Sequence, residues 1–198
     1  MNQLIHFVTH PNVVVRNTVP VPQWPLSDLG KERMRRSLGQ PWIRDITSVY
    51  CSEEQKAIDG AAILAGHLSL GYTKVHALGE NDRSSTGFLI PSEFESVADA
   101  FFARPETSIR GWERAVDAQA RITSAVTKLA AEDQIPGAIA IVSHGAVGTL
   151  LYIALAGKEI SRLDDQPPNS GGNYFRFSLA PPQVHCWWLP IDAPAAAA

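Results

Sequence analysis

Ile139-Ala140-Ile141-Val142-Ser143-His144-Gly145-Ala146-Val147 is the stretch on which the reading of this chain turns. Its first part, bounded upstream by Pro136-Gly137, is apolar at every position up to Ser143, as for a strand buried on both faces. From Gly145 to Ala156 the chain is apolar nearly all round, as for a helix buried within a domain. A buried strand running straight into a buried helix belongs to an α/β layer rather than to a half-exposed antiparallel sheet.

The same beat recurs on the N-terminal side. Leu4 to Val8 reads as a buried first strand, and three prolines between Pro20 and Pro25 predict an extended loop. Ser27 caps a helix ending near Leu38-Gly39. Ile46 to Tyr50 is a β-branched and aromatic strand that meets Ser52-Glu53-Glu54-Gln55, whose Ser and Gln have capping-box spacing before the helical repeat Ala57, Ile58, Ala61, Leu64, Ala65, Leu68. A third strand is expected over Lys74–Leu78, a helix opened by Ser92 and Glu95 runs through Phe101, and a longer one runs from about Trp112 through Leu129. Asp164 to Gly172 is loop, and Tyr174–Leu179 and Val184–Leu189 are closing strands. The alternation predicts a three-layer α/β/α fold with a mostly parallel sheet and helices on both faces.

At 198 residues and 45% hydrophobic content the chain suits one domain, taken as 1–192, with the proline- and alanine-only end 193–198 as a flexible tail after Asp192. A net charge of -3 excludes the basic excess that nucleic acid binding needs. Two cysteines, Cys51 and Cys186, without C-x-x-C spacing favour a reducing compartment. No apolar run reaches the roughly 20 residues that span a bilayer, and no signal-like start is present, so a cytoplasmic protein without a membrane partner is expected.

Ligands of open α/β sheets gather beyond the carboxyl ends of strands, which here are Thr9-His10-Pro11, Cys51-Ser52 and Ser143-His144-Gly145. Two of these three positions carry histidine in a chain with six. With these residues in view, the chain resembles the histidine phosphatase superfamily, also called phosphoglycerate mutase-like, over nearly its whole length. Phe7-Val8-Thr9-His10-Pro11 stands where that family has Arg-His-Gly, and Val142-Ser143-His144-Gly145 matches its second-histidine motif. Ser52 to Ala57 looks like its Ser-x-x-x-Arg-Ala helix start, Leu78-Gly79-Glu80 like its Leu-x-Glu general-acid segment, and Gly111-Trp112-Glu113 like its Gly-Glu-Ser stretch.

The resemblance implies a phosphomonoesterase in which His10 attacks phosphorus, His144 stabilises the transferring phosphoryl group and Glu80 protonates the leaving oxygen, with no metal and no cofactor. Thr9 and Lys56 replace the family's two arginines, and Pro11 replaces its glycine. A lysine keeps charge but loses the planar fork that holds two oxygens. Arg16 stands where the family carries a phosphate-contacting asparagine, with Asn17 beside it. The expected phosphate-binding set is therefore Arg16, Asn17, Lys56, Thr9 and Ser52, and Arg83, shortly after Glu80, is a further possible donor. The expected partner is a phosphorylated small molecule or a phosphoprotein.

Three other readings compete. Ser143 at a strand-to-helix turn, followed by Asp164 or Asp165 and His185, has the order of a serine hydrolase, but Ile141 stands where that tight turn needs a small residue. The H-x-x-x-H pair His6 and His10 lies along a strand, where the spacing is roughly 13 Å and one metal cannot bridge it. Loss of both arginines could also leave a phosphate-binding protein without turnover. A protein that only bound phosphate would need neither a nucleophile such as His10 nor an acid such as Glu80.

Overall fold

The computed structural model describes residues 3–193. Of the expected tail, residues 194–198 lie outside the described residues. Among the described residues six strands, β1 (Ile5–Thr9), β2 (Ile46–Cys51), β3 (Thr73–Lys74), β4 (Ala138–Ser143), β5 (Asn173–Leu179) and β6 (Pro182–Pro190), form one sheet in the order β3-β2-β4-β1-β5-β6. The first four strands in that order are parallel, and β5 and β6 add an antiparallel edge.

Among the described residues five α-helices cover the sheet: α1 (Asp28–Ser37), α2 (Gln55–Leu68), α3 (Pro91–Ala103), α4 (Ala115–Glu132) and α5 (Gly145–Leu155). Side chains alternate across a strand, and here that divides the core in two. Ile5, Phe7, Ile139, Ile141, Phe175 and Phe177 pack with α3, α4 and α5 on one face. Val8, Val49, Cys51, Ala140 and Val142 pack with α1 and α2 on the other. The three layers expected from the sequence are present. Helix α5 lies hard against the sheet because Gly148 has no side chain; a Cβ there would sit 2.6 Å from the Phe7 ring.

Local chemistry moved several boundaries. The proline-rich loop contains a 3-10 turn at Val21–Gln23, since fixed φ values suit a tight turn as well as an extended chain. The third strand has two residues, and the expected remainder is a 3-10 turn at His76–Leu78. Neither expected capping box forms. The cap of α2 is Glu54 rather than Ser52, and α3 starts from Ile90 with Pro91 in its first turn. Ser27 does cap α1, accepting from the Gly30 N–H.

His6 is part of this core and not of a metal pair. It is 1% exposed, its ring lies 5.1 Å from that of Trp42 and tilted to it by 30°, and its Nδ1 is buried with no hydrogen-bond partner among the described residues. Burial, and then Arg176, lowers its pKa from 6.5 to about 4. The unfolded chain therefore takes up the proton first, and stability falls as pH drops from about 6.5 towards about 4. His6→Phe is expected to stabilise the fold by about 1–2 kcal/mol by removing the orphaned polar atom. Thermal melts should show a larger gain at pH 5 than at pH 7, and an unchanged midpoint at both would contradict the account.

Candidate active site

The parallel register brings three strand ends together. Thr9 pairs with Ser143 and Cys51 with Val142, and the next backbone N–H groups continue the ladder from His10 to Ser143 O at 3.0 Å and from Ser52 to Val142 O at 3.1 Å. His10, His144 and Ser52 thus stand side by side at the carboxyl edge. The His10 and His144 rings lie 5.2 Å apart, edge to face. His10 Nδ1 is 2.9 Å from Pro11 O. A carbonyl only accepts, so Nδ1 carries the proton and Nε2 keeps its lone pair. Burial, and then the nearby Lys56 charge, lowers the His10 pKa to about 4, so the ring is neutral at neutral pH.

His144 is fully buried, and its Nε2 lies 2.6 Å from Ser52 Oγ and 3.3 Å from Glu54 Oε1. The Ser52 hydroxyl accepts from the Glu54 N–H and shares a hydrogen bond with Nε2, which also faces the Glu54 carboxylate. Nδ1, on the other side of the ring, is buried without a partner among the described residues. Burial holds the His144 pKa well below 6.5 against the opposing pull of Glu54. For Glu54 burial alone would raise the pKa, but the Lys56 ammonium beside it and the hydrogen bond from the Glu80 N–H outweigh it and hold the carboxyl below its usual range.

Glu80 sits across the N-terminus of α5, where its carboxylate accepts from the N–H groups of Val147 at 3.1 Å and Ala146 at 3.4 Å. Burial nevertheless raises its pKa, Arg83 opposes this, and Glu54 adds to it. The segment carrying Glu80 is clamped from behind. Arg121 donates to the carbonyls of Ala77, Gly79 and Glu80 and pairs with Glu113 at 2.8 Å, while Glu113 Oε2 accepts from the Asp82 N–H. Sequence reading marked Glu113 only through its motif and missed Arg121, whose place in α4 carries no local signal.

Several expected phosphate ligands have other partners. Lys56 is 3% exposed, ion-paired with Glu54 and bonded to Val21 O at 3.1 Å. Thr9 Oγ lies 2.8 Å from Gln166 Oε1 and accepts from the Asn173 N–H at 3.0 Å, so it belongs to a polar seam with β5. Ser52 serves His144 rather than capping a helix that faces an anion. Arg16 and Asn17 are exposed and do not line the cleft beside His10. The serine-hydrolase reading fails: Ser143 Oγ is buried and donates to Leu78 O, Asp164 pairs with Lys158, Asp165 holds Thr149, and His185 meets Ser178.

The cleft over these groups has a volume of about 430 Å³ and is lined by His10, Glu80, Asn81, Arg83, Phe94, Trp112 and the loop from Asp165 to Gly171 among others. That volume suits a small organic ligand. Phe101, Phe102 and Trp112 are chiefly core, whereas Phe88 is exposed beside Trp24. A larger hollow of about 570 Å³ adjoins it around Arg162 and Leu163, away from both histidines.

A family model described as the histidine phosphatase superfamily (branch 1) matches residues 9–187. No curated protein matches in sequence. Among solved structures, a mycobacterial glucosyl-3-phosphoglycerate phosphatase in complex with inorganic phosphate superposes with a TM-score of 0.78 at 17% identity, covering 97% of this chain and 100% of that one. YhfR of Bacillus stearothermophilus gives 0.76 at 20% identity, covering 92% and 94%. A putative alpha-ribazole-5'-P phosphatase of Escherichia coli K-12 gives 0.71 at 16% identity, with full coverage of both chains.

Proposed function

This chain belongs to the histidine phosphatase superfamily, and from that membership we propose that it is a phosphomonoester hydrolase working through a phosphohistidine on His10. The observation that carries the reading is the His10 Nδ1 contact to Pro11 O. It fixes the tautomer of a neutral ring that lines the cleft, and so leaves Nε2 as the nucleophile.

In the first step the Nε2 lone pair forms a bond to phosphorus while the bond to the ester oxygen breaks. Glu80, protonated, gives its proton to that leaving oxygen. His144 donates from Nδ1 to a phosphoryl oxygen, and the incoming negative charge raises its pKa while Glu54 stabilises the imidazolium. In the second step water attacks phosphorus, the phosphorus–nitrogen bond breaks, and Glu80 carboxylate takes the water proton. Both electron pairs return to where they began. The substrate is a phosphorylated small molecule or a phosphoprotein. Lys56 acts as a buried positive charge near His10 rather than as a free clamp.

The test is turnover of an aryl phosphate and an alkyl phosphate across acidic to neutral pH. The kcat/KM profile should rise through about 4 as His10 loses its proton and fall above the raised pKa of Glu80 as the acid is lost. Glu80→Gln should remove the falling limb and cost about 10²- to 10⁴-fold with the alkyl ester. The aryl ester, whose leaving group needs no proton, should lose far less. Equal losses for both esters, or a retained falling limb, would remove Glu80 from the acid role. No turnover of either ester by the wild type would leave a phosphate-binding protein.

A further inference from the structure

With Thr9 tied to β5 and Lys56 ion-paired, the family's two arginine positions present no free fork of donors to a dianion. The arginines that are at least partly buried elsewhere are committed. Arg33 bonds Asp192, Asn12 and backbone carbonyls, Arg121 bonds Glu113 and three carbonyls, Arg162 pairs with Glu95, Asp99 and Asp165, and Arg176 meets Cys186.

Arg83 differs from all of these. It lines the cleft with His10 and Glu80, and among the described residues its guanidinium has no hydrogen bond and no ion pair. It is held by ring faces instead, with Cζ 4.9 Å from the centroid of Phe94 and 5.9 Å from that of Trp112. Stacking fixes the plane of a guanidinium while leaving its edge, where the donors are, unused. Trp112 is itself pinned, with Nε1 donating to Thr86 Oγ1 at 2.9 Å and its carbonyl accepting from Ser108 Oγ. A second unused donor lies two residues back: Asn81 is 4% exposed, lines the same cleft, and its Nδ2 is buried without a partner among the described residues.

We propose that Arg83, with Asn81 beside it, is the dianion clamp of this protein, a guanidinium brought to the transferring phosphoryl group from the loop after Glu80 in place of the arginines lost at Thr9 and Lys56. The proposal rests on the phosphoryl-transfer reading of the site. Its ligand is the phosphoryl group and not a charge on the leaving group. In keeping with this, Arg83 is felt electrostatically by His10, Glu80 and His144 together.

The experiment is calorimetric titration of the intact protein with inorganic phosphate, which has no leaving group, for wild type, Arg83→Ala, Arg83→Lys and Asn81→Ala. Arg83→Ala should weaken phosphate binding by about 10- to 100-fold, the usual scale for a hydrogen-bonded charge pair. Arg83→Lys should fall between, and added guanidinium ion at low, non-denaturing concentration should restore binding to Arg83→Ala only. Circular dichroism melts identify a variant that has simply failed to fold; should Arg83→Ala do so, Arg83→Lys decides, and phosphate affinity within about twofold of wild type in that variant would overturn the proposal. Phosphate affinity within about twofold of wild type in Arg83→Ala, or loss confined to the KM of larger esters, would overturn the proposal, as would a wild type that binds no phosphate. Arg83-dependent phosphate binding in a protein that hydrolyses nothing would uphold the clamp and reject the hydrolase reading.

Discussion

His10→Ala is expected to abolish aryl phosphate turnover, with a loss of about 10⁴-fold or more, the scale on which removing a catalytic nucleophile acts. The ring is poised for attack without substrate, because the Pro11 carbonyl holds the proton on Nδ1 and burial keeps the ring uncharged. The side chain meets the cleft and is not among the core residues, so the fold should survive its loss. The variant should still bind inorganic phosphate, since His144, Asn81 and Arg83 remain. Rapid alkaline quench of the wild type during turnover should trap a phosphorylated form that His10→Ala lacks. Residual turnover within about tenfold of wild type in the variant would exclude covalent catalysis at this position.

The second large effect is expected far along the chain, at Gly171. Ser170, Gly171 and Gly172 all have positive φ, and Gly172 N–H donates to His10 O at 3.1 Å. At φ +74 a Cβ on Gly171 would lie 2.3 Å from His10 O, a backbone atom that cannot yield without moving the nucleophile. Gly171→Ala should therefore carry the left-handed cost of about 1–2 kcal/mol and also lower kcat/KM by roughly 10²-fold, as an ångström of misplacement at a reacting group does. Gly157→Ala is the control, with φ +65 and open space around it. It should show the same kind of stability loss with turnover intact. Equal activity in the two variants would show that the turn does not position His10.

Much of this molecule could be read along the chain. The apolar runs at Ile5–Thr9, Ile46–Cys51 and Ala138–Ser143 and the helical repeats after them are local patterns, and burial on a two-sided sheet permits few other outcomes for them. Once the strands are known to be parallel, their carboxyl ends must share one edge, and so His10 and His144 could be paired before any distance was known. The short β3, where a 3-10 turn takes over at His76, marks the limit, because a brief apolar run carries no period to choose between forms.

Which polar groups are free is a different kind of fact. Lys56 was expected to face the anion, yet Glu54 reaches it, and Glu54 in turn meets His144 and the backbone of Glu80. Thr9 is bound to residues more than 150 positions away. Arg121 steadies the Glu80 segment from a different helix. The layered fold and the strand-end histidines follow from the order of residues alone, because hydrophobic periodicity acts over a few residues at a time. Folding in three dimensions is what matches Lys56 with Glu54 and leaves Arg83 unmatched among the described residues, because a buried donor or acceptor must find its partner in space, wherever along the chain that partner lies.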